Sequence, residues 1–517
     1  MAPTLTERSG LNIKVIGASI FLAALALLLP LPDGLSEDAR RVAVVGVVMA
    51  AWWVSEAVPL QVTALLPIVA FPVAGVADLE TTARPYAHPL IFLFLGGFLL
   101  AAAMQRWRLH WRLALAVLAV SGPCPRYQVL AMMVGTAFLS LWISNTATAM
   151  VMVPIGLSLV ASTRDQAIRV APAGSQAELA MDPEYAHETG PGSRAQPAAS
   201  EDADAFGAAI MLGIAFAATI GGMGSLIGTP PNALLAGFAA QNYGISIGFA
   251  QWMALGVPIV VVLLPVTWLL LTRFIFRLPD ASPEAPREVS DRAPLSSGQR
   301  RVAIVLVATA AAWVLRPLIM ETFGLSGLSD AGIAVTAALL LFLLPDGLPG
   351  GRPLLTWEEA KSIRWDVLIL FGGGLALADA IAATGLAAWI SSGAGALAGL
   401  PVFLLVLAMI IMIVYLGELA SNTAMAAVFL PIAGAVAIGL GMAPLTLLVP
   451  VALAASLGFM LPVSTPPNAI VYGTGAVSAR QMLRAGAWLD VISIVIVFGF
   501  AWFVAPLVLD MQATVLR

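Results

Sequence analysis

Long apolar stretches, many of them approaching the ~20 residues that cross a bilayer as one helix, run along almost the whole chain. Short polar segments separate them. The stretches predicted to form membrane helices are 13–31, 40–57, 60–78, 89–105, 206–240, 250–272, 302–318, 331–345, 365–385, 442–475 and 486–508. This pattern predicts an all-α polytopic membrane protein with about 11 transmembrane helices.

Two further apolar stretches, 127–161 and 402–439, are interrupted at their centres by the same polar triplet. The first contains Ser144-Asn145-Thr146 and the second contains Ser421-Asn422-Thr423. Irregular backbone at membrane depth is tolerated only where protein or a water-filled cavity surrounds it. We therefore expect each stretch to form a re-entrant hairpin, with two half-crossings and the triplet at its tip.

The chain repeats itself. FLFLGGFLLAAAM at 92–104 is similar to LILFGGGLALADA at 368–380, and each triplet is followed by a TPPNA motif, at 229–233 and 465–469. The distance from triplet to motif is 85 residues in the first half and 44 in the second, and the excess fits the polar segment 162–205. These matches predict two homologous halves.

The repeat also predicts the domain organisation and the orientation in the membrane. Each half holds five full crossings and one hairpin, so the second half is inverted relative to the first. With the N-terminus in the cytoplasm, 20 of the 25 Lys and Arg residues lie on that side, as the positive-inside rule requires. The predicted segments are the N-terminus with the first helix (1–39), repeat 1 (40–277) with the cytoplasmic loop 162–205, a cytoplasmic linker (278–301), repeat 2 (302–510) and an extracytoplasmic tail (511–517).

The composition supports a membrane protein and limits its chemistry. The chain is 60% hydrophobic and 10% charged, with a mean hydropathy of +0.95, whereas a soluble domain carries about 25% charged residues. The single cysteine, Cys124, excludes an internal disulfide and a multi-cysteine metal site. The three histidines are far apart in sequence, and neither a GxSxG motif nor paired Asp or His metal motifs occur. An enzyme is therefore not expected.

The triplets and the TPPNA motifs suit an anion and a cation together. A half-helix that begins at each triplet directs free N–H groups and its positive dipole end toward an anion. A half-helix ends before each triplet, and its unpaired carbonyl groups suit a hard cation such as Na⁺. Asn145 and Asn422 each bring one acceptor oxygen and two donors. The Pro-Pro pair of each TPPNA motif blocks helix formation, so the helices that contain the motifs should also be broken.

The charged residues around the four motifs indicate which kind of ion is coupled to transport of the anion. The sequence around the four motifs contains no Lys, Arg or His, and its only charge is the acidic Glu418 (windows 140–154, 217–236, 415–431 and 456–474). A dianion there has no side-chain counter-ion, and moving two negative charges inward against −100 mV costs on the order of 4.6 kcal/mol. Bound cations would offset both the dehydration and the voltage. The sequence therefore predicts a secondary transporter.

These residues resemble the divalent anion/sodium symporter family of dicarboxylate, tricarboxylate and sulfate carriers. The resemblance covers about 40–510 and rests on WWVSEAVPLQVTALLP (52–67), SLWISNTATAM (140–150), IGTPPNA (227–233), GELASNTAMAA (417–427) and STPPNA (464–469). It implies a homodimer in which a transport domain moves like an elevator against a scaffold domain.

The resemblance also implies the binding residues. The substrate-binding residues would be Ser144, Asn145, Thr146, Thr229, Ser421, Asn422, Thr423 and Thr465. One sodium site would use Ser140, Ser144, Asn145 and Gly228, and a second would use Gly417, Ala420, Asn422 and Ser464. Gly417 departs from the family pattern, because a hydroxyl residue is expected there, as Ser140 supplies in the first half.

The sequence thus predicts import of a divalent anion with sodium across the plasma membrane, the inner membrane of a bacterium, without a nucleic-acid partner. The substrate would be a C4-dicarboxylate, citrate or sulfate. A sodium-independent dicarboxylate or tricarboxylate exchanger is the alternative, since Gly417 removes a side-chain ligand. An anion channel is the rival class, although two opposed hairpins favour an occluded site over a continuous pore.

Three acidic residues near these features have open interpretations. Glu56 either stabilises the end of a helix or takes part in function. Asp379 is a polar anchor between helices or a coupling residue. Glu418 borders the second cation site, where it serves helix-end structure or tunes the site indirectly.

The predicted orientation can be tested by cysteine labelling after Cys124 is replaced. A cysteine in place of Gly393 should react only with a reagent added outside. A cysteine in place of Arg287 should react only from the cytoplasmic side. Reversed labelling would contradict the inverted-repeat arrangement.

Overall fold

The computed structural model describes residues 5–122, 124–170, 196–279, 294–325, 327–348, 350–397 and 399–509. Within these ranges, regular structure is helical apart from one isolated bridge between Pro345 and Pro353. Seven of the described helices are long and apolar enough to cross a membrane, in agreement with the predicted all-α membrane protein.

The α-helices follow the predicted spans closely at most positions. Their bounds are Leu5–Leu28, Glu37–Ser55, Leu60–Thr63, Leu66–Val73, Leu79–Ala83, Pro89–Arg106, Leu109–Val120, Pro125–Ser140, Asn145–Val170, Gln196–Gly222, Pro230–Tyr243, Phe249–Leu269, Ser297–Phe323, Asp330–Leu343, Trp357–Ala360, Trp365–Ala383, Leu386–Gly393, Val402–Gly417, Asn422–Gly439, Leu445–Ala455, Pro466–Gly473, Ala479–Gly499 and Ala505–Val508.

Both apolar stretches that carry a triplet are broken at the triplet. The first broken pair consists of Pro125–Ser140 and Asn145–Val170. The second broken pair consists of Val402–Gly417 and Asn422–Gly439. Each break is four residues long, and the asparagine of the triplet is the first residue of the helix that follows.

The predicted spans 206–240 and 442–475 are also broken, as the TPPNA motifs predict. Thr229 and Thr465 have extended backbone, with φ of −140° and −138°. Each is followed by the Pro-Pro pair that begins the next helix. Proline suits the first helical position because its fixed φ is helical and no N–H is needed there.

The two halves share one order of elements, which starts at Pro89 in the first half and at Trp365 in the second. The order is a long helix, a short helix, a broken pair, a second break and a long final helix. Each final helix continues into a π-helical segment, Leu270–Ile275 and Phe500–Val504. Matching glycines pack alike. A Cβ on Gly256 would meet the carbonyl oxygen of Met223, and one on Gly486 would meet that of Phe459.

The broken helices of the two halves pack across each other. Pro230–Tyr243 packs against Asn422–Gly439, while Pro466–Gly473 packs against Asn145–Val170 and Gln196–Gly222. Asp204–Gly222 is 94% buried and therefore lies at the centre of the molecule. The helix starts that follow the triplets and the TPPNA motifs thus belong to one central region.

Several boundaries differ from the prediction. Helices Asn145–Val170 and Gln196–Gly222 occupy both ends of the segment predicted as the loop 162–205, because Ala, Gln, Glu and Arg at these ends are good helix formers. Residues 171–195, 280–293 of the linker and the tail 511–517 lie outside the described residues.

The predicted span 60–78 is two short helices, Leu60–Thr63 and Leu66–Val73. The second begins with Pro67 in its first turn, which has no N–H for the preceding carbonyls. The Tyr86 hydroxyl donates to the carbonyl of Ala64 in the interruption. The sequence also missed the short helices Leu79–Ala83, Leu109–Val120, Trp357–Ala360 and Leu386–Gly393.

Candidate functional site

Oxygen atoms converge on the side chain of Asn145 at the first break. The Ser140 hydroxyl donates to the Ala218 carbonyl at 2.6 Å and lies 2.8 Å from Asn145 Oδ1. The same terminal atom of Asn145 lies 3.0 Å from the Ala218 oxygen and 3.3 Å from the Gly228 oxygen. We call these four residues the Asn145 oxygen cluster.

The Asn145 amide can complete this cluster in two ways. With its nitrogen inward, the NH₂ group lies within hydrogen-bond distance of Ser140 Oγ and of the carbonyl oxygens of Ala218 and Gly228, among which it shares its two hydrogens. With its oxygen inward, it adds a fourth acceptor to a group of oxygens. Neighbouring acceptors repel one another unless a cation lies between them. As metal ligands these four atoms are all neutral oxygens, which suit a hard monovalent cation.

Glycine is required around the cluster. A Cβ on Gly222 would meet Asn145 Oδ1, and a Cβ on Gly228 would meet the backbone carbonyl oxygens of Gly222 and, at 2.8 Å, of Ser140. A larger residue at either position would therefore displace the oxygens. Sequence reasoning named Gly228 but missed Gly222 and Ala218. The signal for Gly222 was the glycine-rich run before the first TPPNA motif.

Thr229, also predicted to bind substrate, is 2% exposed, and its side chain does not cap the helix that it precedes. Thr465 is equally buried, but its hydroxyl accepts from Asn468 N at 3.4 Å.

The second break lacks the hydroxyl of the first. Gly417 stands where Ser140 stands, and a Cβ there would have only Leu457 O and Met425 Cγ within 4 Å, each at 3.9 Å. The site therefore has room for a side chain. Asn422 Oδ1 is buried without a hydrogen-bond partner in the described part of the chain.

The remaining predicted residues of the second site are Ala420 and Ser464, which lie in different segments of the chain. Ser464 Oγ donates to Leu461 O at 2.8 Å and accepts from Asn468 Nδ2 at 3.1 Å. The Ser464 hydroxyl is therefore engaged in hydrogen bonds within its own loop. Its backbone carbonyl is the group that remains available to a cation. Ala420 is buried beside the triplet.

The asparagines of the TPPNA motifs hold the breaks that precede them. Asn232 Nδ2 lies 3.3, 3.2 and 2.8 Å from the carbonyl oxygens of Gly222, Met223 and Ser225. Asn468 Nδ2 donates to Leu461 O at 3.1 Å and to Ser464 Oγ. Sequence reasoning quoted the motif without assigning a role to either asparagine.

Two of the three residues of the first triplet that were predicted to bind substrate border a cavity. Ser144 and Thr146 line a cavity of about 380 Å³, together with Gln105, His110 and Arg364 among others. Ser144 Oγ also accepts from Ala147 N at 3.4 Å at the helix start.

The residues of the second triplet, Ser421, Asn422 and Thr423, do not line this cavity, and neither do Thr229 and Thr465. Thr423 is 8% exposed. The structure therefore opens only the first triplet to the cavity.

Each of the three acidic residues has a structural setting, and two of them accept hydrogen bonds. Glu56 is exposed and ends helix Glu37–Ser55 with a φ of 50°. Asp379 accepts a hydrogen bond from Gln241 of a neighbouring helix, as expected of a polar anchor. Glu418 accepts hydrogen bonds from the backbone N–H groups of Phe459, Met460 and Leu461 at 2.7, 3.0 and 2.9 Å.

The chain matches the family model described as the sodium:sulfate symporter transmembrane region over residues 12–509. It belongs to this family of divalent anion/sodium symporters. Membership makes the chain a multi-pass membrane transporter and not an enzyme, as its motifs predict.

Individual relatives agree with this membership. The chain is 37% identical over 509 residues to the sodium-dependent dicarboxylate transporter SdcS of Staphylococcus saprophyticus, covering 97% of this chain and 92% of the relative. It is 37% identical over 505 residues to SdcS of Staphylococcus aureus strain USA300, covering 96% and 92%.

A solved structure, that of the Alcanivorax borkumensis YdaH transporter, is similar with a TM-score of 0.53 at 13% identity, covering 96% of this chain and 97% of that one. This likeness concerns the fold alone.

The difference between Ser140 and Gly417 generates a matched pair of variants. Ser140→Ala should raise the sodium concentration needed to stabilise the purified protein against heat, whereas Gly417→Ser should lower it. One neutral oxygen ligand resembles a hydrogen bond to a charged group, about 1.5–3 kcal/mol before water replaces it, so we expect roughly a tenfold change.

Thr136→Val is the control, because the Thr136 hydroxyl bonds only within its own helix, to Met132 O at 2.6 Å. Sodium titrations of thermal unfolding in which Ser140→Ala behaves like this control would contradict the assignment of Ser140 to the site.

Proposed function

We propose that the protein imports a C4-dicarboxylate together with sodium ions as a secondary active transporter. The observation that carries the proposal is the Asn145 oxygen cluster, which adjoins the first triplet in a chain of the divalent anion/sodium symporter family. Relatives named as sodium-dependent dicarboxylate transporters favour a dicarboxylate over citrate or sulfate.

The amide of Asn145 links sodium to the substrate. When sodium is bound, Asn145 Oδ1 faces the cluster and its NH₂ group is left to donate toward the tip. When sodium is absent, the NH₂ group faces these oxygens and donates its two hydrogens to them instead, and the amide oxygen is left for the substrate side, where it repels a carboxylate. Sodium binding therefore prepares the tip for the anion, and by linkage the anion strengthens sodium binding equally.

The anion is held by neutral groups and by the bound cations. The helix starts at Asn145 and Asn422 present free N–H groups and positive dipole ends, and Thr229 and Thr465 stand at two further helix starts. Cationic side chains are absent from the sequence around these four positions, and Arg364, which lines the cavity at Ser144, is already paired with Asp366 at 2.8 Å. In this proposal sodium therefore supplies the charge that offsets a dianion.

The transport cycle follows from the repeats. In this proposal the broken pairs are re-entrant hairpins of two inverted repeats, and the domain that contains them moves like an elevator within a homodimer. The cavity at Ser144 and Thr146 is also lined by Gln105 and Arg364, near residues that the positive-inside rule assigns to the cytoplasm. With the N-terminus in the cytoplasm, this cavity would correspond to an inward-facing conformation.

Sodium-independent exchange is the second candidate, because Gly417 supplies no hydroxyl to the second site. The two candidates differ in what drives uptake. An exchanger needs a counter-substrate inside the vesicle, whereas a symporter needs only the sodium gradient.

Uptake of radiolabelled succinate into liposomes tests the proposal. We expect uptake that requires an inward sodium gradient and no internal substrate. Asn145→Ala and Asn422→Ala should abolish it, because each removes a cation ligand and an anion donor at once. Asn242→Ala is the matched control, since Asn242 Nδ2 bonds only to Phe238 O of its own helix, at 3.3 Å.

Uptake that depends on internal substrate and ignores sodium would replace symport with exchange. Conductive flux without sodium coupling would favour a channel. Wild-type uptake by either asparagine variant would contradict the site itself.

A further inference from the structure

The cavity beside the first triplet is formed by several elements of the chain. Ser144 and Thr146 line it from the triplet itself. Gln105 lines it from the helix that precedes the first broken pair, and Arg364 lines it from the segment before helix Trp365–Ala383. Its volume of about 380 Å³ lies in the range of small-molecule sites. Sequence reasoning predicted a role in substrate binding for neither Gln105 nor Arg364.

Arg364 gives this cavity a charged side chain. It is the only Arg, Lys, Asp or Glu residue in the lining, among the residues that the structure describes, and most of its neighbours there are apolar. A guanidinium group binds a carboxylate through two parallel hydrogen bonds, because its N–H groups match the spacing of the two oxygens. The cavity therefore combines a group suited to a carboxylate with the hydroxyl residues of the first triplet.

Arg364 does not stabilise the helix that it precedes. It occupies the position before helix Trp365–Ala383, and its side chain makes no capping hydrogen bond. The start of a helix carries partial positive charge, so a cation there is unfavourable. His88 occupies the matching position of the first half and does cap its helix, because its Nδ1 accepts from Leu90 N at 3.3 Å. The fold therefore accepts a capping residue at this position, and the arginine needs another explanation.

Asp366 orients Arg364 without occupying all of its donors. Arg364 Nε lies 2.9 and 3.1 Å from the two carboxyl oxygens of Asp366, and Nη2 donates to Oδ2 at 2.8 Å. Nη1 makes no hydrogen bond to any residue that the structure describes. The two side chains are 43% and 39% exposed, and exposed ion pairs contribute little to stability. Arg364 therefore keeps donors for a second carboxylate, and its present partner is one that a substrate can displace.

We propose that Arg364 is a substrate-binding residue of the cytoplasmic release path. It binds one carboxylate of the dicarboxylate while the other carboxylate is still held at the first triplet. This inference rests on the proposed import of a dicarboxylate with sodium. When sodium leaves the Asn145 oxygen cluster, the anion loses the positive charge beside it, and Arg364 replaces part of that charge. Arg364 therefore favours substrates with two carboxylates, and it acts at the cytoplasmic face only.

This role predicts opposite effects for the two members of the ion pair. Asp366 competes with the substrate for Arg364, so removal of the Asp366 charge strengthens substrate binding, whereas removal of the Arg364 charge weakens it. An ion pair with a purely structural role gives a different pattern. Either change then breaks the same pair, and both variants shift substrate binding in the same direction.

Succinate transport in oriented membrane vesicles tests this pattern. Inside-out vesicles present the cytoplasmic face to the medium, and right-side-out vesicles present the opposite face. We expect Arg364→Gln to raise the half-saturating succinate concentration at the cytoplasmic face about tenfold and to leave the value at the opposite face unchanged. Arg364→Lys, which keeps the charge but not the paired geometry, should fall between Arg364→Gln and wild type. Asp366→Asn should lower the value at the cytoplasmic face.

Lys361→Gln is the matched control. Lys361 is a nearby cation that pairs with Glu358 at 2.7 Å and does not line the cavity, so this variant should match wild type at both faces. The inference would be overturned by an unchanged cytoplasmic value in Arg364→Gln, or by shifts in the same direction in Arg364→Gln and Asp366→Asn, while wild type still takes up succinate with sodium. Absence of that uptake in wild type would contradict the proposed function, and the inference with it.

Discussion

A helix that breaks inside a membrane protein leaves carbonyl and N–H groups that water does not reach, and each must find another partner. This constraint governs the centre of the molecule, where four helices are interrupted. At the first triplet, the Ser225 hydroxyl donates to the carbonyl of Leu141. At the TPPNA motifs, Asn232 and Asn468 donate to the preceding loops. At the second triplet, Glu418 accepts three N–H groups.

The groups left over after this local pairing are the ones available to ligands. The oxygens of Ser140, Asn145, Ala218 and Gly228 face one another and suit a cation, and the helix starts suit an anion. The two halves share a backbone frame but differ in the side chains beside their first breaks. Gly417 replaces the hydroxyl residue Ser140, and Glu418 replaces the apolar Leu141. A common frame with different side chains gives the first break a hydroxyl oxygen that the second break lacks.

The sequence predicted the breaks because a Pro-Pro pair blocks the continuation of a helix and because the same polar triplet interrupts two apolar stretches at their centres. It also predicted that Ser140, Asn145 and Gly228 meet, through a family resemblance and not through spacing. It did not reveal Ala218, whose contribution is a backbone carbonyl placed by helix packing, or Gly222, whose role depends on a contact across the first break.

The central claim is that the Asn145 oxygen cluster binds sodium and that the Asn145 amide turns when it does so. Cryo-electron microscopy at high resolution, in sodium and in a bulky organic cation, tests this most directly. The account predicts density among Ser140 Oγ, Asn145 Oδ1, Ala218 O and Gly228 O in the sample that contains sodium, and no such density in the sample that contains the organic cation. Absence of that density in sodium with a dicarboxylate bound between the two triplets would contradict it.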